Sequence, residues 1–147
     1  MKKMPPISMK SDRVEIVFEK YIDAKPDEGL VPVYRFKIHN LKGDTVGHIN
    51  FKLGETVHIK QYAGHIGYEI LPQFRGNSYS YFACEAIKPF IQEFFNTIIL
   101  TCNPDNKPSI KTIKKLNAKF INEVTVPEND PSYKNGSRQK LRYEWQL

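Results

Sequence analysis

Thiols are scarce in this chain: Cys84 and Cys102 are the two cysteines in 147 residues. Neither forms a C-x-x-C pair, and the four histidines (His39, His48, His58 and His65) are scattered. A zinc site and a disulfide framework are therefore not expected. Both cysteines read as small buried hydrophobes in a reducing compartment. Long apolar runs are also missing, so no segment is suited to cross a bilayer. The first residues, M-K-K-M-P-P, have no apolar stretch behind their lysines and do not read as a signal peptide. A soluble cytoplasmic protein without a membrane partner is the expectation. Acidic residues are outnumbered, 16 against 22 Lys and Arg, for a net charge of +6. The basic residues are spread out, with Lys111, Lys114 and Lys115 the nearest thing to a cluster. No aromatic-interleaved basic motif supports a nucleic-acid partner. A polyanionic cofactor would use the same charge.

No long helical pattern precedes residue 78. Residues 1–11, with two prolines and three lysines, read as a disordered lead-in to a single domain over 12–147. Residues 13–24, 33–41 and 45–53 alternate as strands, separated by turn residues at 25–32 and 42–44. Residues 57–62 read as a further short strand. The apolar run 97–102 suits a central strand buried on both faces. Residues 106–117 place Ile110, Ile113 and Leu116 on one face of a short helix. Residues 118–126 and 139–147 are strands flanking a polar loop at 127–136.

The organising stretch is 65–95. A short apolar strand enters a small-residue turn (Arg75, Gly76, Asn77, Ser78, Tyr79, Ser80) and leaves as a helix with an apolar stripe through Phe82, Ala86, Phe90 and Phe94. Backbone N–H groups at the positive end of a helix bind anions, phosphates above all. Strand, crossover helix and strand make a β-α-β unit, so 65–71 and 97–102 should run parallel. Pro89 lies inside that helix and removes one hydrogen bond, at ~3 kcal/mol against alanine in an exposed helix, so a kink is expected there.

Two motifs in order carry a resemblance. The turn at 75–80 resembles R-G-x-G-x-G/A, and the preceding G-H-I-G-Y-E-I-L-P at 64–72 resembles a strand common in one branch of the same family. Asn106-Lys-Pro-Ser109 with Lys115-Leu-Asn117 resembles its second motif, N-x-x-S and a K-x-G-like helix end. The family is the GCN5-related N-acetyltransferases (GNAT), and the branch is the one that includes ribosomal-protein N-terminal acetyltransferases. The resemblance spans 64–120 and, more loosely, 32–63. It implies an α+β fold: a mixed, mostly antiparallel, twisted sheet of six to seven strands with few helices. Residues 25–32 are too few for the family's N-terminal helix pair. Ser78 and Ser80 stand where the family has Gly and Gly or Ala, and Asn117 stands where it has Gly.

The resemblance also implies the chemistry. Acetyl-CoA would be the co-substrate, with no metal. Arg75, Gly76, Asn77, Ser78, Tyr79 and Ser80 would hold its pyrophosphate, and backbone groups of Ile70 and Leu71 would pair with the pantetheine arm where the strands splay. Asn106 and Ser109 would lie near the thioester; Asn106 is also a good helix cap. Transfer to an amine needs a neutral amine and a proton for the departing thiolate. The family's helix-borne tyrosine falls at Ile113 here, so Ser109 is the candidate acid, and His65 and Glu69 are rival bases. The acceptor is left open between a small amine and a protein N-terminus, in a groove bordered by Glu128, Asp130 and Tyr133. Monomer and homodimer both stay open. The competing reading is a GNAT-like domain that binds CoA with little or no turnover.

Overall fold

The computed structural model describes residues 3–147. Eight strands form: β1 (Ser8–Lys10), β2 (Val14–Ile22), β3 (Val33–Asn40), β4 (Thr45–Lys52), β5 (Ile66–Ile70), β6 (Thr97–Cys102), β7 (Lys119–Thr125) and β8 (Gln139–Gln146). The helices are α1 (Tyr79–Ile91), α2 (Lys107–Lys115) and the single turn α3 (Pro131–Lys134). The first five strands make an antiparallel meander in the order β1-β2-β3-β4-β5. The last three make a second sheet in the order β6-β8-β7.

The meander follows from alternation. Tyr34, Phe36 and Ile38 on β3, with Ile49 and Phe51 on β4, are fully buried against α1. α1 offers Ala83, Ala86, Ile87, Phe90 and Ile91 to the same core. Aromatic rings close it: Tyr34 meets Phe90 edge to face at 5.0 Å, and Phe51 meets Phe94 at 5.8 Å. Gly47 is required where β4 and β5 approach, since a Cβ there would lie 2.0 Å from the Glu69 carbonyl oxygen.

Several expectations change. Residues 8–10 of the expected lead-in are not disordered; they pair with residues 15–17 as β1, which takes the strand count past seven. Met1 and Lys2 lie outside the described residues. Residues 57–62 are not a strand. Thr56 Oγ1 accepts the Ile59 N–H at 3.2 Å, and Gly64 N–H donates to the Ile59 carbonyl at 2.7 Å. That i→i+5 bond makes a π-helical turn, His58–Ala63, with Ile59 as its one buried anchor. α1 runs past Pro89 but ends at Ile91 rather than 95. Its apolar stripe continues in a tighter turn, where Glu93 N–H bonds the Phe90 carbonyl and Phe94 N–H the Ile91 carbonyl. Between β2 and β3 there is one 3-10 turn, Pro26–Glu28, and no helix pair.

The largest change concerns the β-α-β unit. β5 and β6 form no ladder; each is the edge of its own sheet. They touch just before β5 begins, where His65 N–H donates to the Ile99 carbonyl at 2.9 Å. The two sheets divide there, leaving a split along the outer edge of β5.

Candidate functional site

β5 is a free edge, and its ladder with β4 decides which backbone groups face the split. Lys52 N–H donates to the His65 carbonyl at 2.8 Å, and Leu71 N–H donates to the Val46 carbonyl at 2.8 Å. Residues 65, 67, 69 and 71 therefore turn their backbone groups toward β4, and Ile66, Tyr68 and Ile70 turn theirs outward. The Ile70 carbonyl is taken by Arg75 Nε at 3.0 Å. The Ile70 N–H and both Tyr68 backbone groups face the split. Leu71 is unavailable, because its carbonyl also accepts from Phe74 N–H at 2.9 Å. An added strand would pair with Tyr68 and Ile70, one step earlier than the resemblance implies.

The turn after β5 has the geometry of an anion cradle. A 3-10 turn, Pro72–Phe74, leads into Gly76 at φ 92° and Ser78 at φ 59°. Ser78 thus holds the left-handed conformation that glycine adopts most easily. Its carbonyl accepts the Phe82 N–H at 3.2 Å, so the N–H groups of Tyr79, Ser80 and Tyr81 in the first turn of α1 have no partner within the helix. Arg75, Gly76, Asn77 and Ser78 are exposed. Asn77 Nδ2 donates to the Phe74 carbonyl at 3.0 Å and pins the turn. A depression of ≈ 620 Å³ adjoins Asn77 and Tyr79, and its lining carries both signs of charge, Arg13 and Lys42 with Asp12 and Asp44.

α2 closes the helix face of the split. Asn106 caps it by accepting Ser109 N–H at 3.2 Å, and Asn117 ends it at φ 62°, as its place after the helix leads one to expect. Ser80 Oγ lies 2.9 Å from Thr112 Oγ1 and ties α1 to α2. Ser109 Oγ lies 2.7 Å from the Tyr68 hydroxyl. Burial pushes the Tyr68 phenol far above its ordinary value, against the hydrogen bonds from Ser109 and Thr112. The phenol therefore stays protonated. The sequence motifs do not single out Tyr68. The signal was present in the alternation of Ile66, Tyr68 and Ile70, which puts Tyr68 on the face that receives α1 and α2.

His65 and Glu69 do not join this pair. His65 is 1% exposed, with Nδ1 accepting Ile99 N–H at 3.0 Å and Nε2 donating to Glu55 Oε1 at 3.2 Å. Burial lowers its pKa, opposed by Glu55. Both ring nitrogens are engaged, and the residue ties β5 to β6. Glu69 is exposed on the opposite face of β5 from Tyr68, beside His48 on β4. Burial and Arg35 lower the His48 pKa. Of the proposed rim, Asp130 is buried: it caps α3 through Ser132 N–H at 2.9 Å and meets His58 Nδ1 at 2.9 Å. Glu128 is exposed, and Tyr133 packs under Arg138 at 3.6 Å. Cys84 and Cys102 are buried free thiols.

A split sheet, a small-residue turn and a capped second helix are the parts of one known architecture. The profile of the acetyltransferase (GNAT) domain matches residues 1–119. The chain belongs to the GNAT family. No curated protein matches this GNAT chain. Its α+β fold is shared with solved structures of the family. A GNAT acetyltransferase from Bacillus anthracis is 22% identical, with a TM-score of 0.57 over 76% of this chain and 65% of that one. A microcin self-immunity acetyltransferase, solved with acetyl-CoA and AMP, is 18% identical, with a TM-score of 0.59 over 78% and 61%. An enzyme from Salmonella typhimurium that modifies the N-terminal serine of a 50S ribosomal subunit protein is 16% identical, with a TM-score of 0.58 over 82% and 66%. The chain spans less than two thirds of the length of each of these three. Among the described residues, no helix is long and apolar enough to cross a membrane, and no group of three or more His, Cys, Asp or Glu is placed to hold a metal ion.

Proposed function

We propose that this GNAT domain transfers an acetyl group from acetyl-CoA directly to a primary amine, either a small amine or a protein N-terminus. The observation that carries the proposal is the Tyr68–Ser109 hydroxyl pair, 2.7 Å apart and set where the two sheets divide. The residues fit the co-substrate. The N–H groups at 79–81 and the exposed turn with Arg75, Gly76, Asn77 and Ser78 suit a pyrophosphate. The free edge groups of Tyr68 and Ile70 suit the amides of an extended pantetheine arm.

Bound acetyl-CoA supplies an activated acyl carbon, at which a C–N bond to the amine forms as the C–S bond breaks. The protonated phenol of Tyr68 donates to the departing sulfur, and Ser109 Oγ relays a proton from solvent back to the phenoxide. Tyr68 thus fills from a strand the role that Ile113, on α2, cannot. Glu69 is the carboxylate on the other face of β5 and takes the proton that the amine must lose. His48, its pKa lowered by burial and Arg35, stands in the same ladder pair. His65 fixes the point where the sheets part.

A thiol-release assay with acetyl-CoA and a panel of amines tests this reading. Amine-dependent release of CoA thiol is expected. Binding of CoA without any amine-dependent release would favour the alternative, a binding domain without turnover. Ser78, which keeps a side chain where the family's glycine has none, is the residue that favours that alternative.

A further inference from the structure

The face of β4 away from α1 is polar. His48, Asn50 and Lys52 share that face, and Gly67 on β5 stands opposite Asn50 in the ladder. With no side chain on Gly67, Lys52 extends over it: a Cβ placed there would lie 3.5 Å from Lys52 Nζ. Lys140, on β8 of the other sheet, is near enough for its charge to act on Lys52. Among the described residues neither lysine forms an ion pair. Asp130 attracts Lys140, but its carboxylate already serves His58 and the Ser132 N–H. Burial and the neighbouring Lys140 push the Lys52 ammonium down to about 8. Burial lowers Lys140 as well. A buried ammonium without an ion pair, with a second cation acting on it, is unfavourable until an anion joins it. A third group is also incomplete: Asn50 Oδ1 is buried without a hydrogen-bond partner. It is an acceptor waiting for an N–H.

We infer that the amine acceptor carries an acidic group, a carboxylate or a phosphate, which seats between Lys52 and Lys140 while Asn50 Oδ1 receives an acceptor N–H. This inference rests on the acetyltransferase reading. It replaces the cationic acceptor that an acidic rim at 127–136 would favour, since Asp130 is consumed by His58 and the cap of α3. A polyamine would add positive charge to a site that already has two unneutralised cations.

Matched pairs of probes test it: glycine against glycinamide, and glucosamine 6-phosphate against glucosamine, with spermidine as the cationic control. Each is titrated calorimetrically into free and CoA-loaded protein, and each is tried as an acceptor with acetyl-CoA. In at least one pair the acidic member should bind ten-fold or more tightly than its neutral partner, and the pair that responds tells carboxylate from phosphate. Lys52→Gln and Lys140→Gln should each abolish that preference with CoA affinity unchanged. Removing one of two repelling cations should raise the melting temperature, so a misfolded variant is recognised by a fall. Equal binding within both pairs, preference for spermidine, or preference surviving both substitutions overturns the inference. So does failure of every probe to bind. In each of these cases intact CoA binding leaves the acetyltransferase reading standing; loss of CoA binding by the wild-type protein counts against that reading instead.

Discussion

Tyr68 and Ser109 stand 41 residues apart in sequence and 2.7 Å apart in space. Tyr68→Phe leaves the ring in place and removes the proton. It should lower kcat by ~10²-fold, within the range for one general acid, with little change in KM for acetyl-CoA. A rate equal to wild type would remove the residue from the mechanism. His65 calls for a different expectation, since its work is structural. In His65→Leu the Ile99 N–H keeps no acceptor, at about 1–3 kcal/mol for an unsatisfied buried group. Its folded pKa is lowered below the unfolded value near 6.5. The unfolded chain then binds the proton more readily, so the contribution is complete above about 6.5 and is lost as pH falls through the folded pKa. His48 acts in the same direction. Denaturation midpoints from pH 7.5 to 5 should fall more steeply for wild type than for His65→Leu. Ser78 carries strain: a non-glycine residue in the left-handed region costs roughly 1–2 kcal/mol, offset by glycine's larger unfolded-state entropy. Ser78→Gly should therefore be as stable as wild type or more so, and Ser78→Val less stable, by urea denaturation.

At the scale of elements, β6 and α2 could be read from local pattern. A continuous apolar run and an i, i+3, i+6 stripe both state their own periods, and Asn106 announces its cap. β3 and β4 were equally plain because one face is aromatic or aliphatic and the other polar. The π-helical turn is not, since Val57 and Ile59 alternate as a short strand would. What decides it is the Thr56 hydroxyl and the Gly64 N–H, local bonds that leave no mark on hydrophobic period. β1 has no sequence signature because three residues at an edge carry almost no pattern. Tyr68 and His65 were ambiguous for a related reason. Both belong to one alternating strand, and which face receives the helices is set by contacts with residues 84, 99 and 109. The close approach of β4 and β5 gives a direct test of the edge. Gly47→Ala would place a Cβ 2.0 Å from the Glu69 carbonyl oxygen. Overpacking of this kind typically costs 1–3 kcal/mol, at about that size here, and would shift the strand that carries Tyr68. Loss of hydrogen-exchange protection at the β4-facing amides of residues 67, 69 and 71 is the expected signature.

For the whole molecule, division into two sheets is what makes a site. Tyr68 and Ser109 reach the split from the helix face, and Glu69, Lys52 and Asn50 lie on the other. Under the proposed function, a thioester between the sheets would be open to an acid on one side and an amine on the other, without any domain motion. The core that holds this arrangement is continuous: Phe90 of α1 contacts Tyr34 and Phe51 of the meander, and Trp145 and Ile98 of the second sheet join the same cluster. The measurement that bears most directly on this account is a crystal structure with acetyl-CoA bound. The pyrophosphate should lie on the N–H groups of residues 79–81, the pantetheine amides on the Tyr68 and Ile70 edge, and the thioester sulfur within hydrogen-bond reach of the Tyr68 or Ser109 hydroxyl. Acetyl-CoA found outside the split, or a thioester remote from both hydroxyls, would contradict it.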